Sequence, residues 1–419
     1  MPTKLKEAAS ARRSMIITFK PKDQRLERKK DKVEIVQELI SSEVQFVKSA
    51  EVQTFGMGPQ SGVDRETLGY DVNLYEAPIV TASLTDAEIT KVRSNANVLA
   101  VEEDGMCYAL PEALVFEGQP SVLAETVPIG ITQVKAPPAW DASRGKAINV
   151  AILDTGIDAT HPDLAANVKG AVSFVPGETP ADGNGHGTHC AGTIAAPING
   201  IGVVGVAPAA SIYAVKILSN SGSGQWSWLI AGITWCMQNN MKILSMSLGG
   251  SSAPAALETI CNAAFDKGLL LVAAAGNAGA PVPPATSSVT YPGKYKKVIA
   301  VSAIDNANVI ASFSSRGPEV ELCAPGVNVL SCAPGGGYAT KSGTSMACPH
   351  VSGGAAVVWG AHRFATNVQI FDLLTATADN LGVPGWDPLY GYGRLDVDQA
   401  AVMLAPAPAM GMKEISIAA

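Results

Sequence analysis

From residue 147 onward the chain repeats one pattern: a short, almost continuously apolar run followed by a longer stretch able to form a helix. The runs are AINVAILD, SIYAVKIL, KILSMSL, GLLLVAAAGN and KVIAVSAI, and GQWSWLIAGITWCMQNN is the clearest helix-compatible stretch between them. Successive side chains of a strand point to opposite faces, so a strand that is apolar throughout is buried on both. Helices alternating with such strands predict an α/β fold, a parallel sheet covered on both faces. In sheets of this kind functional groups gather beyond the carboxyl ends of the strands. Three turns therefore stand out: Asp154 closes AINVAILD, Ser247, Leu248 and Gly249 follow KILSM, and Asn277 follows LLLVAAAG.

The chain before residue 111 reads as a separate small α/β unit. SMIITF and YDVNLYEAPIVTASL are strand-like, and KDKVEIVQELISSE has apolar residues at helical spacing. In LTDAEITKVRS, Thr85 precedes Glu88 by three residues, the signature of a capping box, and NVLAVEED closes the unit as a strand. A ferredoxin-like βαββαβ plait over residues 15–110 fits, after a tail of residues 1–14. Residues 111–123, within PEALVFEGQPSVLAETVP, show no period and read as a linker. Residues 124–404 form the large domain and residues 405–419 a C-terminal tail.

Charge narrows the range of partners. Lys and Arg number 30 against 37 Asp and Glu, a net charge of −7, so no nucleic-acid partner is expected. The basic RLERKK stretch near the start reads as a solvated terminus. An odd count of 7 cysteines, scattered and without a CxxC, rules out a disulfide scaffold, and spacing alone does not decide a Cys323–Cys332 bridge. The first residues lack the apolar core of a signal peptide before residue 15, and no apolar run is long enough to span a bilayer. A soluble monomer is expected.

NGHGTHCAGT puts His186, His189 and Cys190 within one short stretch. A zinc site would need a third ligand and an open water position, which no further His, Cys or Glu pair supplies, since His161, His350 and His362 are single. KSGTSMACPHVSGGAAVVWGAH leads from small residues into a helix-compatible run, with Pro349 expected in its first turn. Ser345 then sits at a helix N-terminus, where free N–H groups favour developing negative charge. A serine there, a histidine on another helix and an aspartate ending a strand supply a nucleophile, a base and an orienting carboxylate.

The chain resembles the subtilisin-like serine proteases, the subtilase family. AILDTGIDATHPDL, NGHGTHCAGT and GTSMACPHVSG are similar to that family's three active-site motifs in its order Asp, His, Ser. AAAGNAG, SMSLGG, GSGQWSW and YGYGRLD extend the resemblance from Ala124 to about Leu404. It implies that Asp154 orients the base His186, that Ser345 attacks the scissile carbonyl, and that Asn277 with the Ser345 N–H forms the oxyanion hole. His189 matches a structural position, and Cys190 and Cys348 read as buried filler. Protein and peptide substrates would pair as an extra strand between Gly222, Ser223 and Gly224 on one side and Ser247, Leu248 and Gly249 on the other. The primary pocket would be walled by Ser247–Gly249 and by Ala274, Ala275 and Gly276, with Thr290 near its base making it shallow. Trp226 and Leu229 would wall a second apolar subsite.

The same resemblance implies Ca2+ held by Asp163, Asn199 and Glu125 with the carbonyls of Pro197, Ile201 and Val203, an oxygen-only set. A weaker site is suggested near Gly293, Tyr295 and Val298. The N-terminal unit is similar to the family's inhibitory propeptide, chiefly through SLTDAEITKVRSNANVLAVEED. Its junction is open between Leu110 and Leu123, with Leu114 a third choice. Proline at position 111 would resist cleavage after Leu110, while AETVPIGITQVKAP matches the usual mature start. The family reading implies a secreted, self-processing endopeptidase of broad specificity. The alternatives are a transpeptidase or peptide cyclase on the same triad, and a cytoplasmic location.

Overall fold

The computed structural model describes residues 11–20, 51–54, 79–110, 113–117 and 124–403. Among them the largest sheet runs, in spatial order, Val320–Pro325, Val298–Ile304, Leu270–Ala274, Ile243–Met246, Asn149–Asp154, Ser211–Lys216 and Val168–Ser173, all parallel. Glu51–Thr54 adds antiparallel to the last of these. The α/β fold expected from the apolar runs is therefore the observed one. Chain order reverses at Asn149–Asp154, whose neighbours come from later in the sequence on both sides. A crevice opens at such a switch point, and Asp154 stands at its lip.

The two-sided burial follows residue by residue. Val150 and Ile152 pack with Met346, Ala347 and Val351 of the helix Thr344–Ala361. Ala151 and Leu153 face the other way, into the cluster that also holds Leu229 and Ile233 of the helix Trp226–Gln238 and Leu257 of Ala255–Asp266. Every residue from Thr344 to Gly360 is buried, which requires a helix apolar on all sides. It also requires small residues at its closest approaches. A Cβ on Gly353 would stand 2.7 Å from Val206 Cβ, and one on Gly354 2.7 Å from Leu395 Cδ2.

The N-terminal unit shows a three-stranded antiparallel sheet, Ile79–Leu84, Arg13–Phe19 and Val98–Glu103, crossed by the helix Asp86–Arg93. The Thr85–Glu88 capping box is formed at that helix's start. Met15, Ile17, Phe19, Val80 and Val92 make a core of its own, while Ile16 and Ile79 join the core of the large domain. The helices Trp226–Gln238 and Ala255–Asp266 begin at Gln225 and Pro254 without a side-chain cap of their own. Carboxylates of the N-terminal unit fill that role. Glu102 accepts from the N–H groups of Ala255 at 2.8 Å and Ala256 at 3.3 Å, and Asp104 from the N–H of Ser227 at 3.0 Å and its hydroxyl at 2.6 Å. Burial raises the Asp104 pKa, opposed by these same hydrogen bonds.

Two details differ from the sequence reading. Glu51–Thr54 lies on the edge of the large sheet, outside the small one. The linker contains a strand, Ala113–Glu117, paired antiparallel with Gly337–Ser342. Its pairing partner is remote in sequence, so no local period announces it. The helix expected in KDKVEIVQELISSE and the first part of the YDVNLYEAPIVTASL strand fall outside the described residues. No helix among the described residues is long and apolar enough to cross a membrane. In a Ser345→Ala background, Asp104→Ala removes one helix cap and weakens docking of the N-terminal unit by about 1–2 kcal/mol. Limited trypsin treatment should then clear residues 11–110 several times faster than in the parent.

Candidate active site

The Asp154 carboxylate ends its strand wholly buried. Its Oδ1 accepts from the Thr155 N–H and lies 2.7 Å from His186 Nδ1. His186 opens the helix His186–Ala195, and the turn before it is fixed by one buried carboxylate. Asp182 Oδ1 accepts from the N–H groups of Asn184 and Gly185 and from the Thr155 hydroxyl. Its Oδ2 accepts from the N–H and hydroxyl of Thr188. Thr155 Oγ1 in turn accepts from the Gly187 N–H at 3.0 Å. The strand end and the helix start are thus tied through Asp182, whose charge also suits a helix N-terminus. The approach is close: a Cβ on Gly187 would stand 2.1 Å from Gly156 O, so only glycine fits.

Ser345 is the second residue of its helix, as expected of its motif, but Pro349 lies deeper than the first turn. Proline has no N–H to return to the carbonyl four residues earlier, which is that of Ser345. Two side chains take its place. The Ser247 hydroxyl donates to Ser345 O at 2.9 Å, and the Cys190 thiol at 3.6 Å. The irregularity therefore couples the serine's backbone to the turn after Met246 and to the His186 helix. Ser345 Oγ donates to Ser247 O at 3.2 Å. Asn277 Oδ1 accepts from the N–H and hydroxyl of Thr344, at 2.9 and 2.8 Å, which turns its Nδ2 toward Gly343, two residues before Ser345.

The groove beside Ser345 contains the chain's own residues. Met106–Ala109 is the middle strand of three, antiparallel to Ser223–Gln225 on one side and to Leu248–Gly249 on the other. Cys107 pairs with Gly224, Tyr108 with Ser223 and Gly249, and Ala109 with Leu248. The Ala109 N–H reaches Gly222 O at 2.8 Å. Alternation follows the pleat. Tyr108 is exposed, whereas Cys107 is buried in one cluster with Trp226, Leu229 and Leu248. Leu110, 6% exposed, rests against Gly249, where an added Cβ would stand 3.1 Å from its Cδ2 and 2.4 Å from Thr290 Oγ1. Thr290 packs against Gly249 and Gly276 and is hydrogen-bonded to Ala275 O through its N–H at 2.9 Å, so it narrows this pocket. Leu123 lies outside the described residues.

The residues expected to hold a cation are gathered at a loop. Glu125 Oε1 accepts from the N–H groups of Asn199 at 2.7 Å and Gly200 at 2.6 Å. Asp163 accepts from Asn199 Nδ2 at 3.0 Å and the Val203 N–H at 2.7 Å. Isolated bridges Ala124–Ile201 and Thr126–Val203 hold the loop to the start of the large domain. Asp163 is fully buried, and desolvation raises its pKa. A buried carboxylate of raised pKa, a second carboxylate and an amide on a tight loop fit a hard cation by donor chemistry.

Other metal readings fare differently. His189 Nε2 is committed to Val329 O and Ala339 O, and burial lowers its pKa to about 3. The third ligand missing from the sequence pattern does exist in space: ligand atoms of Asp154, His186 and Cys190 lie within 4.8 Å of one another. A proton already bridges two of them, in the 2.7 Å Asp154–His186 contact. All seven cysteines are buried and free, Cys323 and Cys332 included.

Sequence reasoning missed Asp182, Thr155 and Lys216. The Lys216 ammonium, fully buried, reaches Thr155 O, Asn220 Oδ1 at 2.9 Å and Glu178 Oε2 at 3.1 Å. A lysine inside the apolar SIYAVKIL run was the available signal.

Residues 145–393 match the model of the Subtilase family. Among curated proteins the chain is 46% identical to Subtilisin E of Bacillus subtilis (strain 168) over 323 residues, covering 76% of this chain and 80% of that one. It is 50% identical to Subtilisin of Bacillus pumilus over 281 residues, 66% of this chain and all of the relative. It is 43% identical to the Alkaline protease of Shouchella clausii over 325 residues, 77% and 79%. Gly249→Val should overpack the Leu110 pocket and lower kcat/KM for leucyl peptides by about 10- to 100-fold. Thr290→Gly should shift preference from leucine toward aromatic residues, measured on a matched series of chromogenic peptides.

Proposed function

Because this chain belongs to the subtilase family and is a subtilisin-like serine endopeptidase, we propose that it is a calcium-stabilised zymogen that processes itself and then cleaves proteins broadly. The observation that carries this reading is the Met106–Ala109 strand, paired on both sides in the groove with Leu110 against Gly249. Pairing of that kind uses main-chain groups common to every peptide, which supports broad specificity. It also supports Leu110 as the residue before the first cut, with residues 15–110 as inhibitor. A later trim after Leu123 would give a mature start at Ala124.

In this mechanism Ser345 Oγ turns from Ser247 O toward His186 and attacks the scissile carbonyl. His186 Nε2 takes the proton, and the buried Asp154 holds the ring by Nδ1 and stabilises the imidazolium that forms. Negative charge on the carbonyl oxygen meets Asn277 Nδ2 and the Ser345 N–H at the start of its helix. A donor of this sort is worth about 3–4 kcal/mol, a magnitude measured in subtilisin itself. His186 then protonates the leaving amine, and water repeats the sequence on the acyl-enzyme. Pro111 makes the first bond a tertiary amide with restricted geometry, so processing after Leu110 should be slow.

Calcium bound by Asp163, Glu125, Asn199 and the loop carbonyls would fix the start of the large domain and neutralise a buried charge. Desolvation raises the Asp163 pKa, so without a cation its ionisation costs stability. That cost appears as pH rises through the ordinary carboxylate range and is complete above the raised value. A bound dication reverses the preference. Chelation should therefore lower the thermal midpoint by about 10 °C at pH 8, and by less at pH 5. Equal effects at both values would count against Asp163 as a ligand.

Intact mass against time tests the processing reading. Wild type should split at residues 110–123 while Ser345→Ala stays whole; splitting of both would remove Ser345 from the role of self-processing nucleophile.

A further inference from the structure

The linker strand Ala113–Glu117 is not placed at random on the large domain. Leu110 is the last residue of the groove-bound segment, and Pro111 and Glu112 alone separate it from Ala113. Ala113 pairs with Ser342, Leu114 with Lys341, Phe116 with Thr340 and Glu117 with Ala339, antiparallel, with a bulge between Leu114 and Phe116. The receiving strand Gly337–Ser342 runs into Gly343 and then Ser345. The chain is therefore paired with the large domain on both sides of residues 111–112, through Met106–Ala109 before them and Ala113–Glu117 after them.

We propose that the outer edge of the strand Gly337–Ser342 is a peptide-binding site for the third to seventh residues after the scissile bond of a substrate. The proposal rests on the reading that Leu110 stands where the residue before that bond stands. In the absence of the linker strand, Gly337–Ser342 is an edge strand, since its other neighbour is Val329–Ala333. Open edges are ready templates for strand addition. Ala339, Lys341 and Ser342 are buried with the linker strand in place, and its departure would free the main-chain groups that it pairs with. A substrate with a long extended segment after the cut covers the edge again, through main-chain hydrogen bonds that ask little of its sequence. The enzyme would then favour cleavage inside long unfolded chains over cleavage near a C-terminus. Before processing, the same edge adds to the grip on the uncut chain. If residues 111–123 remained attached after the first cut, they would compete for it from within.

The test uses the full chain carrying an added recognition site for a second endopeptidase between Leu123 and Ala124. After self-processing it is trimmed, and a start at Ala124 is confirmed by intact mass. Two internally quenched peptides share every residue up to the scissile bond and carry either two or seven residues after it. The longer peptide should show kcat/KM higher by about tenfold. Alternate N–H groups of an antiparallel strand point to opposite sides. N-methylation of one alternate set of amides should therefore erase the gain, while methylation of the interleaved set leaves it. Rates equal within twofold, or two methylation sets that behave alike, overturn the site and leave the protease reading standing. Cleavage of neither peptide overturns that reading and the site with it.

Discussion

The 2.7 Å contact between the Asp154 carboxylate and His186 Nδ1 is the interaction the rest of the structure is arranged around. A fully buried carboxylate is costly unless hydrogen-bonded, and this one has the adjacent Thr155 N–H and the His186 ring as partners. The central strand brings Asp154 to the sheet edge. The His186 helix must then approach so closely that Gly187 has no room for a side chain. Asp182 accepts hydrogen bonds from both pieces, and Lys216 binds Thr155 O, Asn220 and Glu178 behind them. Here the network is continuous from Asp154 through Thr155 and Lys216 to Asn220.

The second constraint is the broken ladder at Pro349. It leaves the Ser345 carbonyl without its helical partner, and Ser247 and Cys190 supply donors in its place. Ser247 thus serves three elements at once: its hydroxyl holds the serine's backbone, its carbonyl accepts the serine's Oγ, and the next two residues form one wall of the groove. Ser345, the His186 helix and the strand Leu248–Gly249 cannot shift independently. The N-terminal unit uses the same physics from outside, with Glu102 and Asp104 capping two helices that lack caps of their own.

Much of this was legible in the sequence because it depends on local period or on short motifs. Strands apolar on both faces announced the parallel sheet, and Thr85 with Glu88 announced a helix start that is formed as expected. Asp154, His186 and Ser345 were recognised from their motifs, and the structure brings Asp154 and His186 into contact. What stayed hidden depends on contacts between remote segments. The strand at Ala113–Glu117 exists through its pairing with Gly337–Ser342, and nothing in PEALVFEGQPSV shows that edge. Pro349 was expected in a first turn because the compensation by Ser247, about a hundred residues earlier, is invisible locally. Asp182 and Lys216 read as ordinary polar residues until the fold surrounds them.

The central claim is that Ser345 is a nucleophile covered by the chain's own residues 106–110. The direct measurement is the rate at which a fluorophosphonate labels the full-length chain and the processed enzyme, with the adduct located by peptide mass. The account predicts a single adduct, on Ser345, forming rapidly only after the segment has left the groove. An adduct elsewhere, or equal labelling of Ser345 before and after processing, would contradict it.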